Sequence, residues 1–527
     1  MLNNLNRKTL SILSAILVAV FTTGYLRIHW IPFLPEADGG LYTYYSQYFY
    51  TAISKGENIG AKYPVLLYSL ITSWVYGLEI NQYLALRWID LCVAVIASIL
   101  FFKIIEKESG SLVFSIITVS ALLLVMNNYS FIFYGFRNSI WAAYVPLFLA
   151  LYLSQIINSK NHFLFYLIGA FAAFGVLLRE PFLFLYIVGT VAIFLAYGWK
   201  NLVKYLIGSA LVGFTTFFIL SLLRGGINPL MIFATYLDYV QGMGDLTNEL
   251  LITNFFQHSF TAIKVYWFGI ILSFISLIYL CKLNLKDKKL INSNRISFWL
   301  AIALVPIIEP LTKLGFDYHF LNCIPGLAGL SALGWKYFNL NESGILKKYS
   351  MMIVTLLCIL GVYPNFSKTL DIDVYQKENP LSDAYNHLWQ DSYSEIETIR
   401  SSNYLIAADM IKQLSNKDST LALAGSAQVI YALTGLLPPS YKMVDLRTTY
   451  LNVNWNEDKL VNILKEERPT IIFPTNQALP GIKNLTRAIA RTNLYERVAI
   501  LSYSPDVYYK SIYGDIYRLK SFNKQKF

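Results

Sequence analysis

The sequence predicts a polytopic α-helical membrane protein that carries a C-terminal α/β domain. Three observations carry this. Hydrophobic residues make up 55% of the 527 positions against 14% charged, and mean hydropathy is +0.46. A soluble chain of this length needs far less apolar surface. The apolar residues gather into runs close to the roughly 20 residues that cross a bilayer. Beyond about residue 364 the runs stop, and short strand-like and helix-like segments alternate.

Eleven runs read as spans: 9–29, 84–105, 112–127, 138–157, 163–178, 182–199, 205–223, 259–283, 296–311, 318–335 and 349–363. Residues 10–20 have the length of a signal-peptide core, but no small-residue cleavage site follows, so the first run reads as an uncleaved anchor. The segment 64–80 is also apolar, and charge decides its placement. If it does not cross and the N-terminus is cytoplasmic, then Arg7, Lys8, Lys103, Lys107, Lys160, Lys200, Lys204, the basic run 282–295, Lys336, Lys347 and Lys348 all fall inside. That is the distribution the positive-inside rule demands. The segment 64–80 is therefore expected to lie in the outer interface as an amphipathic helix.

The same topology explains the basic balance. Net charge is +11, and residues 364–527 hold 19 Lys/Arg against 17 Asp/Glu, so most of the excess lies in the membrane half. Nucleic acid is excluded as a partner, because no basic stripe with interleaved aromatics is present. The four cysteines, Cys92, Cys281, Cys323 and Cys358, all fall in the predicted spans with no metal or disulfide spacing.

Residues 1–363 thus form a transmembrane domain, with a first outer loop at 30–83 that carries juxtamembrane helices. Residues 364–527 form an extracytoplasmic α/β domain. Within it, helices are predicted at 394–414, 427–434, 457–467 and 482–492. Strands are predicted at 419–424, 441–446, 470–474, 498–503 and 508–520.

Chemistry-bearing residues concentrate on the outer side. Glu36 and Asp38 form an acidic pair in Pro35-Glu36-Ala37-Asp38-Gly39-Gly40-Leu41-Tyr42, directly after the first span. Further acids at outer span ends are Glu57, Glu79, Asp90, Glu180, Asp238, Asp245, Glu249, Glu309 and Asp317, accompanied by Arg87, Arg137, Arg179, Arg224, Lys313 and His319. Ionisable groups at membrane depth cost a few kcal/mol each and mark sites. Interfacial anchoring accounts for Lys62 or Lys264 singly, but poorly for Arg179-Glu180-Pro181, which interrupts two apolar runs. Signatures of phosphate-binding loops, dinucleotide folds, zinc proteases and serine hydrolases are absent. The histidines at 29, 162, 258 and 387 read as hydrogen-bonded neighbours, whereas His319 opens a late span.

The order of parts resembles the GT-C fold membrane glycosyltransferases, in particular bacterial relatives of protein O-mannosyltransferases and of lipid A aminoarabinose transferase. Five stretches carry the likeness: the acidic pair at 36–38, Lys62-Tyr63-Pro64-Val65-Leu66-Leu67, Gly175-Val176-Leu177-Leu178-Arg179-Glu180-Pro181, residues 318–325, and residues 424–435 in the tail. The resemblance implies transfer of a sugar from a polyprenyl-phosphate donor to a lipid, glycan or protein acceptor, at the outer face of a bacterial inner membrane. Asp38 takes the place of the catalytic acid and Glu36 that of a supporting ligand, and the two together are the candidate ligands of a divalent metal ion. Family members commonly carry adjacent acids, whereas Ala37 separates these, and many carry Arg where this chain has His319. Arg179, Glu180 and His319 are the candidate donor-binding residues, with Lys313, Arg224, Tyr42 and Lys62 beside them.

The chemistry is coherent on its own terms. An acceptor hydroxyl or amine needs one base while the sugar C1 becomes oxocarbenium-like. The leaving phosphate needs cations or a metal. One essential acid is expected, unlike the acid pair of a glycoside hydrolase. Two other readings remain. A transporter or flippase of polyprenyl-linked sugars would also hold charges in a cavity, though the chain shows no two-fold repeat. An O-antigen ligase or polymerase would use a late outer loop and need no acid after the first span.

Overall fold

The computed structural model describes residues 2–31, 38–59, 67–128, 139–157, 161–228, 230, 248–286, 293–312, 317–342, 344–370, 380–382, 385, 402–425, 427–439, 456–475, 480–502 and 512–522. Among the described residues, helix occupies most of each predicted run. Eight helical stretches among the described residues are long and apolar enough to cross a membrane: Asn6–Ile28, Gln82–Ser109, Ser139–Ile156, Glu180–Tyr197, Trp199–Leu223, Leu251–Asn284, Ser293–Leu311 and Gly344–Leu370. Leu112–Met126 and Phe163–Leu178 are apolar but shorter. The chain is a multi-pass helical membrane protein with a small C-terminal sheet.

Local sequence explains the breaks. The first helix passes through a π turn at Val20–Gly24, where the Thr22 hydroxyl donates to the Val18 carbonyl at 2.7 Å. Gln82–Ser109 starts on Asn81, whose side chain accepts from the Leu84 amide. It ends on Gly110 at φ 67°, and Ser111 at once caps Leu112–Met126. The helix Ile324–Asn341 does not rank with the eight, because its last turns carry Lys336, Asn339 and Asn341. Its face is a bed for neighbours: a Cβ at Gly329 would collide with the Trp299 ring, and one at Gly326 with the backbone of Ala303. Almost all of 324–335 is buried, so this helix is shielded from lipid and needs no apolar outer face.

Several boundaries differ from the sequence expectation. The run 318–335 opens as a 3-10 helix, Asp317–Cys323, and becomes α-helical only at Ile324. Gly344–Leu370 continues through Pro364 rather than stopping at 363; Asn365 Nδ2 donates to the Gly361 carbonyl at 3.4 Å on that turn. Within the segment 64–80, Leu67–Thr72 is followed by the 3-10 turn Ser73–Gly77. These 6 and 5 residues rise about 16 to 19 Å at helical pitch, short of the ~30 Å hydrocarbon core. Residues 64–66 lie outside the described residues.

The tail sheet has strands β1 (Leu421–Ala424), β2 (Ile471–Pro474), β3 (Tyr495–Leu501) and β4 (Gly514–Leu519) in the order β1-β2-β4-β3. β1 and β2 are parallel, and the β2/β4 and β3/β4 pairs are antiparallel. Side chains of β1 alternate between two cores. Ala422 and Ala424 meet the helices Glu457–Glu467 and Pro480–Thr492 on one face. Leu421 and Leu423 face Ser402–Leu414 and Val429–Thr434 on the other. Helix 457–467 falls where expected, with Asn456 capping Lys459 N at 2.8 Å. The predicted strand 441–446 lies outside the described residues.

The second of these cores does not stop at the domain. It runs on into Trp30, Ile31, Tyr44, Tyr45, Phe49, Tyr83, Leu84 and Leu220. Tyr44 and Tyr431 have ring centroids 4.3 Å apart, and the Tyr431 hydroxyl accepts from the Leu423 amide at 2.9 Å. Gly40 lies where a Cβ would sit 2.8 Å from Val429 N. The helix Asp38–Ser54 is thus clamped between the membrane bundle and the tail domain. Gly40→Val should force the two apart at a cost of about 1–3 kcal/mol. Thermal unfolding in detergent and protease sensitivity of residues 402–439 would both report it; wild-type behaviour in both would disprove the clamp.

Candidate functional site

Two proline-bearing breaks shape this site. Pro181 cannot donate a backbone hydrogen bond, so the helix Phe163–Leu178 ends there and Arg179 takes an extended conformation. Pro306 interrupts Ser293–Leu304 in the same way, and after the 3-10 turn Val305–Ile307 the short helix Ile308–Thr312 carries Glu309. In the 3-10 helix Asp317–Cys323, three residues per turn put His319 and Asn322 on one face.

These elements converge on the Glu309 carboxylate. Arg179 Nη2 lies 3.2 Å from Glu309 Oε1, and His319 Nε2 lies 3.4 Å from the same oxygen. Asn322 Nδ2 donates to Oε2 at 3.4 Å, and the Tyr144 hydroxyl donates to Asn322 Oδ1 at 2.6 Å. Arg179 Nη1 reaches Ser139 Oγ at 3.5 Å, and Ser139 Oγ is 3.3 Å from the Tyr42 hydroxyl. The cluster is buried: Glu309 is 3% exposed and Arg179 8%. Desolvation is the largest influence on Arg179 and works against its charge, but Glu309, Tyr42, Tyr318 and Glu180 together outweigh it and the guanidinium holds its proton more tightly than in water. Arg179 Nε is buried with no acceptor among the described residues.

Of the residues singled out from the sequence, Arg179, His319 and Tyr42 are brought together through Glu309 and Ser139. Glu180 is half-buried next to Arg179 and acts on its charge. Asp38 begins the helix that carries Tyr42, so the two positions are one turn apart along it. Arg224 ends Trp199–Leu223, where the Ile59 amide donates to the Leu223 carbonyl at 2.9 Å. It sits beside the middle of the segment 30–83. Glu36, Lys62 and Lys313 lie outside the described residues, as does the side chain of Asp38. Among the described residues no three His, Cys, Asp or Glu side chains gather as a metal site.

Glu309 stood among the span-end acids without a role, although an acid between Pro306 and Pro310 in an apolar run was a usable signal, and Asn322 and Tyr144 were not singled out. Arg27 was also missed. It is buried, its Nε donates to Asn127 Oδ1 at 2.7 Å, and it stacks 4.9 Å over Trp141. Arg87 donates to the Trp30 and Ile31 carbonyls at 2.5 and 2.6 Å, fixing the chain just ahead of residues 32–37. His258 pairs with Asp317, two residues before His319.

Removing one partner of a buried pair leaves the other charge uncompensated. Glu309→Ala should therefore cost about 3–5 kcal/mol, with much of it regained in Arg179→Ala/Glu309→Ala. Unfolding midpoints in one detergent would test this, and additive losses would rule out the pairing. No family model matches the chain and no curated protein matches it in sequence, so its chemistry is read from these residues.

Proposed function

We propose that the chain is a GT-C type glycosyltransferase of a bacterial inner membrane, with eleven spans, a cytoplasmic N-terminus and an extracytoplasmic tail domain. It moves a sugar from a polyprenyl-phosphate donor to a lipid, glycan or protein acceptor. The observation that supports this is one connected polar cluster. Arg179 and His319, 140 positions apart in the chain, meet on Glu309, and Arg179 leads through Ser139 to Tyr42, one helical turn from Asp38.

In this reading Asp38 accepts the proton of the acceptor hydroxyl or amine as its oxygen or nitrogen bonds to the sugar C1. The bond from C1 to the phosphate oxygen breaks, and the departing charge falls to Arg179 and His319. Glu36 supports Asp38, through a divalent ion or the acceptor. Near the start of the helix Asp38–Ser54, Gly40 is taken up against Val429 of the tail domain.

Asp38→Asn keeps size and removes basicity, so it should lower transfer by about 10²- to 10⁴-fold. Glu36→Gln should cost less. Mass spectrometry of surface glycans from strains carrying each variant measures this. Normal glycans in both strains would leave the acidic pair as a plain loop and remove the reading's main chemical support. Reporter fusions test the topology: phosphatase activity after Lys289, or its absence at residue 450, would rule out the eleven-span arrangement.

A further inference from the structure

Glu309 has no part in the chemistry just described, yet both proposed phosphate ligands close on it. Arg179 Nη2 and His319 Nε2 share one oxygen, Oε1, at 3.2 and 3.4 Å. The other oxygen is held from behind by Asn322, and Asn322 by the Tyr144 hydroxyl at 2.6 Å. The backbone of Glu309 is held as well, between Pro306 in the 3-10 turn Val305–Ile307 and Pro310 in the short helix Ile308–Thr312.

We infer that Glu309 is a positioning residue: its anchored carboxylate sets Arg179 and His319 side by side, at the point where the lipid phosphate of the donor arrives. The inference rests on the donor reading above. Arginine has many rotamers, and a lone guanidinium at the end of a membrane span would swing toward water. Glu309 takes only Nη2. Nη1 is left with a long 3.5 Å contact to Ser139, and Nε has no acceptor among the described residues. Those two N–H-bearing atoms remain for an anion, on a guanidinium already oriented before the donor binds. Ordering is then complete in the resting protein, which is where preorganisation raises affinity. Glu309 also balances the charge of Arg179 while no anion is present.

The test is binding of a radiolabelled polyprenyl monophosphate to the full-length protein in nanodiscs. Glu309→Gln should weaken binding by about tenfold, the scale of a misplaced contact group. Glu309→Asp keeps the charge but withdraws it by one methylene, and should fall between wild type and Glu309→Gln. Arg179→Ala should lose binding, and adding Glu309→Gln to it should change nothing further, because the carboxylate acts through the arginine. A purely structural Glu309 would lower the unfolding midpoint and leave the dissociation constant alone. Wild-type affinity in Glu309→Gln, with binding lost in Arg179→Ala, overturns the inference and leaves the donor reading standing. If Glu309→Gln does not fold, wild-type affinity in Glu309→Asp overturns it instead. Wild-type affinity in both Arg179→Ala and His319→Ala defeats the donor reading itself.

Discussion

Burying a charge in a membrane bundle is the constraint on which this structure turns. A guanidinium moved out of water costs several kcal/mol unless a carboxylate and hydrogen bonds meet it. Arg179 is met by Glu309, and the rest of that end of the bundle is arranged so that they can meet. Pro181 ends one helix at the arginine, Pro306 breaks another ahead of the acid, and a 3-10 helix turns His319 and Asn322 toward the same carboxylate. Each break sacrifices backbone hydrogen bonds that an uninterrupted helix would keep, which is tolerable in lipid only where neighbouring helices cover the gap.

The opposite end of the bundle is closed by ion pairs of a different kind. Arg295 Nη2 lies 2.5 Å from Glu108 Oε2, which also accepts from Gln155 at 3.3 Å, while Lys103 and Ser11 both bond Glu106. These groups join helices by their ends, without helix breaks of the Arg179 kind around Glu108. Glu108 is fully buried and Arg295 is half-exposed, so the pair ties Ser293–Leu304 to Gln82–Ser109 while its cation remains in reach of water. Charge serves as a fastening there, whereas at the Arg179 end it shapes a polar interior.

Much of this architecture was legible in the chain because burial in lipid and strand alternation leave periodic marks. Helix 457–467 was readable to both ends from its apolar spacing, with Asn456, Glu457 and Asp458 at its start. Strands β1 and β2 stood out as short apolar runs. Less visible were features set by partners far away in sequence. An acid at 309 gives no sign that its counter-ion is residue 179, since apolar periodicity records only avoidance of water. The 3-10 opening at 317–323 has helix-like composition, so 318–335 read as one span. Gly39-Gly40 permits a close backbone approach, but the occupant at Gly40 is Val429 of the tail, which no local pattern could name.

The clamp on the helix Asp38–Ser54 has a consequence for how the chain matures. Tyr44 packs on Tyr431 across 387 positions, and that core also takes in Leu423, Phe473 and Ile516. A ribosome adding roughly 5–20 residues per second spends on the order of 20 to 80 seconds between those two tyrosines. For that interval the aromatic face of an early segment has no cover and stands open to whatever apolar surface lies near. A nascent chain of this protein therefore depends on something to shelter a tyrosine-rich helix until its last domain appears. A ribosome that stops before β1 would leave an inserted bundle with one of its two main apolar cores incomplete.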